Sequence, residues 1–192
     1  MKTLFLILAT GITLISSVPY LLDILKGKTK PNLVSWMTWS LLTGIATAAA
    51  ISAGEYTAAI FTGAATFETT LIVFFGIRRG YVQYTTFDII CQVAAVVGII
   101  LWQVFNSPTV GVIAAVIIDF IGALPTLRHS WLRPGVETWL AFALAGLGGT
   151  FAILALDTYN WVNMPYALYI LIINIITTSI IISRQRQLKR SS

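Results

Sequence analysis

The chain has 192 residues, of which 57% are hydrophobic and only 10% charged, and its formal net charge is +5. Soluble domains carry roughly a quarter charged residues, so the composition excludes a protein whose main solvent is water. A chain of this length has room for about seven membrane crossings of roughly 20 residues with short loops, and a separate soluble domain does not fit.

Seven apolar runs follow one another along the chain, each long enough to cross about 30 Å of hydrocarbon. We predict transmembrane helices at Thr3–Leu25, Leu33–Ala53, Thr57–Ile77, Thr86–Phe105, Thr109–Leu127, Val136–Leu156 and Asn163–Ser183. The first run lacks an A-x-A-like cleavage site and continues to Leu25, so we interpret it as a retained helix rather than a signal peptide.

Basic residues occupy alternate loops. The first, third and fifth loops and the tail hold Lys26, Lys28, Lys30, Arg78, Arg79, Arg128, Arg133, Arg184, Arg186, Lys189 and Arg190. The other loops hold Glu55 and Asp157 and no basic residue. Short basic loops stay in the cytoplasm, which predicts an integral plasma-membrane protein with its N-terminus outside and its C-terminus inside. The positive charge then faces anionic lipid, and no nucleic-acid partner is needed to explain it.

A three-helix pattern occurs twice. Pro19 and Pro125 are 106 positions apart, as are Glu68 and Asn174 and also Arg78 and Arg184. Two parallel three-helix units need one extra crossing between them, because an odd number of helices reverses the chain. We therefore predict an all-α membrane protein with a first repeat at 1–82, a linker helix within 83–107, and a second repeat with the basic tail at 108–192.

The two repeats carry the local sequences SVPYLLDILKGKTKPNLVSW and GALPTLRHSWLRPGVETW, each a helix-end proline followed by a basic loop. This 3+1+3 arrangement over nearly the whole chain resembles the SWEET and PQ-loop (MtN3-like) transporter superfamily, although Tyr20 and Thr126 stand where PQ-loop proteins have glutamine. In that superfamily, asparagines on the third and seventh helices contact the substrate. The resemblance implies this role for Asn174 and, with an acid in place of the first asparagine, for Glu68.

Three strongly polar residues lie near the middle of predicted spans: Glu68, Asp119 and Asn174. Such groups are costly in hydrocarbon and usually face a cavity or a partner. We expect Glu68 and Asn174 to lie at equal depth and bind substrate, and Glu68 and Asp119 to carry protons. The alternative is that these groups only bond helices together. For Asp119, a second alternative is that it satisfies backbone groups freed by Pro125.

Pro19 and Pro125 lie inside the predicted inner ends of their helices, where each removes a helix hydrogen bond. They are interpreted either as hinges of a cytoplasmic gate or as simple helix terminators. Small residues in Gly44–Ala50 and Ala145–Gly149 favour close helix packing. Asp88 is expected to be solvated near the inner surface or paired with Arg78 or Arg79, and His129 to be solvated in a basic loop. Gln103 adds a polar position to the linker helix.

These features favour a secondary transporter that moves a small polar solute (a sugar, amino acid or vitamin) by alternating access, with proton coupling as an added hypothesis. The alternative is a membrane receptor or sorting protein that binds a small ligand without transporting it. An enzyme is not expected, because no nucleophile–base pair is visible. One histidine and one cysteine make a metal site improbable, and no cofactor is expected. A homo-oligomer is left open.

Overall fold

A computed structural model describes residues 1–52, 54, 56–79, 84–102, 108–156, 158–161 and 163–191. In these residues the chain is all-α, with seven α-helices, one short 3₁₀ helix and no strand. The α-helices are α1 Lys2–Leu25, α2 Leu33–Ser52, α3 Tyr56–Arg79, α4 Thr86–Trp102, α5 Pro108–Leu132, α6 Trp139–Ala155 and α7 Met164–Ser191. The 3₁₀ helix, Pro134–Val136, precedes α6.

The predicted helices are present. Their ends differ from the predicted ends where the helical backbone does not begin or stop with the apolar run. Helix α5 continues to Leu132 and α7 to Ser191, because helical hydrogen bonds continue through polar residues after the apolar run has ended. Helix α6 begins only at Trp139, since the residues from Pro134 form the 3₁₀ turn instead. The predicted repeat limits at 82, 83 and 107, the loop acids Glu55 and Asp157, and Gln103 fall outside the described residues.

Three helices of the described chain are long and apolar enough to cross a membrane: Lys2–Leu25, Val110–Leu132 and Met164–Arg190. Seven membrane-spanning helices are predicted from the sequence. Three further helices contain shorter apolar segments, Leu33–Ala48, Thr86–Ile100 and Trp139–Ala155, which fall short by length.

The helices pack in a pattern that is unchanged when α1, α2 and α3 are exchanged with α5, α6 and α7. Helix α3 contacts both α1 and α2, and α7 contacts both α5 and α6. Helix α1 packs along α6, and α2 packs against α5. Helix α4 has no counterpart in this exchange and packs against α5 and α2. We refer to α1, α2 and α3 as the first group of helices and to α5, α6 and α7 as the second.

Small residues in Ala145–Gly149 bring α6 close to two neighbours, as predicted. A methyl group at Gly148 would lie 2.5 Å from Oγ1 of Thr13 on α1. A methyl group at Gly149 would lie 3.0 Å from the backbone nitrogen and 3.2 Å from Cα of Leu171 on α7. Helix α6 therefore contacts α1 and α7 through glycines that leave no room for a side chain.

An aromatic plug, defined here as Tyr20, Trp36 and Phe142, fills the core between the two groups of helices. The Tyr20 ring centroid lies 4.9 Å from that of Trp36 and 5.9 Å from that of Phe142. Ile72 of α3 and Ile181 of α7 complete the same buried cluster. Trp36 is 9% exposed, so its indole ring belongs to the buried core rather than to the outer surface of the bundle.

The C-terminal ends of α1, α3, α5 and α7 meet at one end of the bundle, which we call the basic end. There the Arg79 guanidinium donates to the carbonyl of Leu25, and Arg184 Nε donates to the carbonyl of Trp131 over 3.2 Å. The Arg184 guanidinium also lies 4.7 Å from the centroid of the Trp131 ring. The basic residues that flank these helices are therefore gathered on one side.

Gly149→Ala should destabilise the protein by about 1–3 kcal/mol, because the new methyl group meets the α7 backbone, which cannot move aside as a side chain can. Gly11→Ala is the matched control, since nothing lies within 4 Å of a methyl group at that position. It should be neutral or stabilising by about 0.5–1 kcal/mol. Thermal unfolding of detergent-solubilised protein measures both. Equal effects of the two substitutions would contradict the close α6–α7 approach.

Candidate functional site

Asp119 lies on α5 and is buried, with 5% of its surface exposed. Three aromatic side chains donate hydrogen bonds to its carboxyl group. Trp39 Nε1 and the Tyr169 hydroxyl donate to Oδ1 over 2.9 and 2.8 Å, and the Tyr166 hydroxyl donates to Oδ2 over 2.9 Å. Both oxygens are therefore satisfied in an apolar interior, where an unpaired acceptor would be costly.

These bonds join three helices at one point, because Trp39 belongs to α2 and the two tyrosines belong to α7. Helix α2 lies in the first group of three, whereas α5 and α7 lie in the second. Any separation of the two groups at this level must break the bond from Trp39 to Asp119. Asp119 thus acts as an interhelical anchor across the boundary between them.

One backbone N–H near Pro125 has a partner other than Asp119. The N–H of Thr126, next to the proline, donates to Oγ of Ser35 on α2 over 3.1 Å. The suggestion that Asp119 satisfies groups freed by Pro125 is therefore wrong for this N–H. Pro19 and Pro125 both lie inside their helices, which continue to Leu25 and Leu132, so helix termination is also wrong. The hinge role stays a prediction.

Glu68 lies on α3, and within the residues that the structure describes its carboxyl group has fewer hydrogen-bond partners than that of Asp119. Its Oε2 atom is buried and has no hydrogen-bond partner among the described residues. Ser17 of α1 lies near the Glu68 side chain, but its hydroxyl donates to the carbonyl of Leu14 over 2.7 Å. A buried carboxyl oxygen without a donor is uncommon in folded proteins and calls for a specific explanation.

Asn174 lies on α7, and its side chain turns to its own helix. Nδ2 donates to the carbonyl of Ile170 over 2.8 Å, and Cβ lies against Gly146 of α6. In the described part of the chain, no hydrogen bond joins Asn174 to Glu68 and α3 does not pack against α7. The pairing of Glu68 with Asn174 across the bundle stays a prediction.

Two residues predicted to be solvated are buried. Asp88 is 1% exposed and caps α4: Oδ2 accepts from the backbone N–H and the hydroxyl of Thr85 over 2.8 and 2.7 Å. Asn32 Nδ2 lies 3.4 Å from its other oxygen. His129 is 5% exposed, and its Nδ1 lies 2.8 Å from Oε1 of Glu137. Hydropathy placed both residues near a surface, but their hydrogen-bond partners hold them inside.

The aromatic donors around Asp119 were not predicted. Tyr166 and Tyr169 are three residues apart and so share a helix face. Their hydroxyl groups need partners inside an apolar bundle. A mid-span acid with no basic residue at its depth needs donors of this kind. The two requirements together are the sequence signal for this cluster, although the signal does not say which acid the tyrosines meet.

A groove of about 500 Å³ lies between α2 and α3. Its walls are mainly apolar and include Met37 and Leu41, which are about half exposed. The hydroxyls of Ser40 and Thr70 lie 2.7 Å apart along it and are hydrogen-bonded to each other. Because its polar groups are paired and Glu68 and Asp119 are not among its lining residues, this groove is not the candidate solute site.

Among the described residues, no group of three or more histidine, cysteine, aspartate or glutamate side chains is arranged to hold a metal ion. Comparison of the chain with protein-family models, with curated proteins and with solved structures finds no match. The function must therefore be argued from the chain itself.

Asp119→Ala should cost about 2 kcal/mol of stability, because it removes three interhelical bonds worth roughly 0.6 kcal/mol each in membrane proteins. Asp119→Asn should cost less than about 1 kcal/mol, since an amide oxygen can still accept two of the bonds. Unfolding of the protein in mixed micelles measures both values. An Asp119→Ala variant as stable as the parent would contradict the anchoring role.

Proposed function

We propose that this chain is an integral membrane protein with seven spans, built as two parallel three-helix repeats around a linker helix. The exchange pattern of the helix contacts supports the repeat, and so do the arginine contacts at the basic end. Leu25 and Trp131 are 106 positions apart, and the carbonyl of each accepts from an arginine at the end of the third helix of its own group, although the two arginines, Arg79 and Arg184, are 105 positions apart. The same offset relates Pro19 to Pro125 and Glu68 to Asn174.

In this proposal α2, α3, α4 and α6 cross the bilayer together with the three longer apolar helices, because they pack beside them in one bundle. The basic end faces the cytoplasm, as the distribution of lysine and arginine favours. The first residue lies outside, and the host membrane is the plasma membrane. The architecture proposed is that of the SWEET and PQ-loop superfamily.

The function that fits best is secondary transport of a small polar solute by alternating access. The observation that carries this proposal is the buried Glu68 oxygen without a partner. An intramembrane acid that the protein itself does not satisfy is poised to take up a proton or to accept a hydrogen bond from a bound solute. A purely structural acid would resemble Asp119, whose two oxygens are both bonded.

The remaining candidate residues take supporting roles. Asn174, which lies at the repeat-equivalent position, contributes its amide to the solute site. Asp119 couples protonation to the contact between the two groups of helices, since its carboxyl group accepts from Trp39 of the other group. Pro19 and Pro125 provide the points at which α1 and α5 bend. In many secondary transporters, the solute binds near the middle of the membrane at the interface between two structural repeats.

The orientation can be tested with single cysteines in a Cys91→Ser background. Lys28→Cys at the basic end and Tyr159→Cys at the opposite end replace exposed side chains. An impermeant maleimide added outside intact cells should label Tyr159→Cys and leave Lys28→Cys unlabelled until the membrane is opened. The reverse pattern would overturn the orientation, and labelling of both from outside would overturn the seven-span arrangement.

The role of Glu68 can be tested in proteoliposomes with labelled glucose, glutamate, lysine and thiamine as probes of the solute classes. An inward proton gradient should drive accumulation of at least one probe by the parent. Glu68→Gln mimics the protonated acid, so this variant should keep solute exchange while losing at least about tenfold of the gradient-driven accumulation. Asp119→Asn is the comparison, with a milder loss expected.

Full accumulation by Glu68→Gln would show that Glu68 is not the coupling residue. A parent protein whose flux ignores pH would be a passive facilitator. Binding of a probe without flux would favour the receptor or sorting function instead.

A further inference from the structure

A series of hydrogen bonds joins buried polar side chains at the basic end. These side chains are not part of the proposed solute site. The hydroxyl of Tyr20 on α1 donates to Oε2 of Glu137 over 2.9 Å, and Trp36 Nε1 donates to the same hydroxyl over 3.2 Å. The other carboxyl oxygen of Glu137 lies 2.8 Å from Nδ1 of His129 on α5. Glu137 stands in the short segment before α6, and both it and His129 are 5% exposed.

A second set of bonds runs beside the first. The hydroxyl of Thr138 donates to Oδ2 of Asp23 on α1 over 2.9 Å and is hydrogen-bonded to the hydroxyl of Thr29 in the first loop. The backbone N–H of Lys30 donates to the carbonyl of Val136 over 2.9 Å. Thr29 is 1% and Thr138 6% exposed, so the bond between their hydroxyls is also shielded from water.

We call the side chains of Tyr20, Asp23, Thr29, His129, Glu137 and Thr138 the latch. The hydrogen bonds of Tyr20, Asp23 and Thr29 join α1 or the first loop to the segment before α6, whereas the contact of His129 with Glu137 lies within the second group. The latch therefore connects the first group of three helices to the second, and all of its side chains lie at the basic end. The aromatic plug continues the latch toward the middle of the bundle, because Tyr20 belongs to both the plug and the latch.

We propose that the latch is the gate that closes the basic end, and that Glu137 is its central positioning residue. This rests on the proposed transport function, in which the two groups of helices must separate at that end to release solute. Opening requires Tyr20 to leave Glu137 and Thr138 to leave Asp23 together, since the partners sit on opposite sides of one boundary. The structure is then the state closed at the basic end.

The arrangement favours an abrupt opening rather than a gradual one. Breaking a single bond leaves a buried carboxyl oxygen or hydroxyl without a partner, which is unfavourable until water enters. Once the segment before α6 moves away, water can reach all of these groups at once. Bonds of this kind give two well-separated states, closed and open, as alternating access requires.

Ser16 provides a reporter of the open state. It is 6% exposed and lies four residues before Tyr20, one helical turn beyond the plug on the same face of α1. In a Cys91→Ser background, a cysteine at Ser16 should react slowly with an impermeant thiol reagent added to the side from which Lys28→Cys is labelled. This choice of side makes the experiment independent of the orientation of the protein.

Tyr20→Phe keeps the packed ring of the plug and removes only the hydroxyl that bonds Glu137. It should raise the labelling rate of Ser16→Cys from the basic side about tenfold, as the loss of one buried bond predicts. Glu137→Gln, which keeps the side-chain shape, should change the rate in the same direction. Tyr159→Phe removes an equivalent hydroxyl from an exposed tyrosine and should leave the rate unchanged. Unchanged labelling in both latch variants would overturn the proposal.

The converse variant locks the gate. Thr29→Cys with Thr138→Cys in the Cys91→Ser background places two thiols where two hydroxyls are in hydrogen-bond contact, close enough for a disulfide. Oxidation should abolish transport of whichever probe the parent carries, and a reductant should restore it. A fully oxidised pair that still transports would overturn the gate. Absence of transport in every variant, with Ser16→Cys labelling still raised by Tyr20→Phe, would instead overturn the transport function and leave the latch in place.

Discussion

Inside an apolar surround, a buried polar side chain can be satisfied only by other groups of the protein, and this constraint organises the whole bundle. Asp119 meets it through three donors from two helices. The Thr126 N–H beside Pro125 meets it through Ser35. Each of these hydrogen bonds joins α5 to a neighbouring helix. The polar bonds therefore specify which helices lie together, while apolar side chains fill the space between the helices. Among the acids of the described spans, Glu68 differs from Asp119 in having a buried carboxyl oxygen without a hydrogen-bond partner, which a structural role does not explain.

The same constraint distinguishes the kinds of contact between the two groups of helices. Helices α1 and α6 meet through glycine and threonine, with no room for adjustment at Gly148. At the basic end the contact is polar and buried, through Tyr20, Glu137 and Thr138. Close apolar packing resists deformation, whereas a cluster of hydrogen bonds exchanges partners with water when it opens. A bundle with both kinds of contact can stay joined along α1 and α6 and still open at the basic end.

Much of the fold could be predicted from the sequence, because length and hydropathy locate apolar helices and glycine runs mark close approaches. The ends of α5, α6 and α7 could not, since Pro134 and the polar tail act through backbone geometry rather than hydropathy. The polar mid-span positions were also visible in the sequence. Their partners were not: Trp39 and the two tyrosines reach Asp119 from helices distant in the chain. His129 was misjudged for the same reason, since its partner Glu137 becomes a neighbour only when the 3₁₀ turn folds.

We propose that this protein moves a small polar solute across a bilayer. The most direct test is to reconstitute it in sealed vesicles, expose them to a defined mixture of sugars, amino acids and vitamins, and identify by mass spectrometry what enters the lumen. If this proposal is right, at least one solute enters faster than in protein-free vesicles, and oxidation of the Thr29→Cys/Thr138→Cys pair stops its entry. A lumen identical to that of protein-free vesicles, from protein that is folded and inserted, would contradict it.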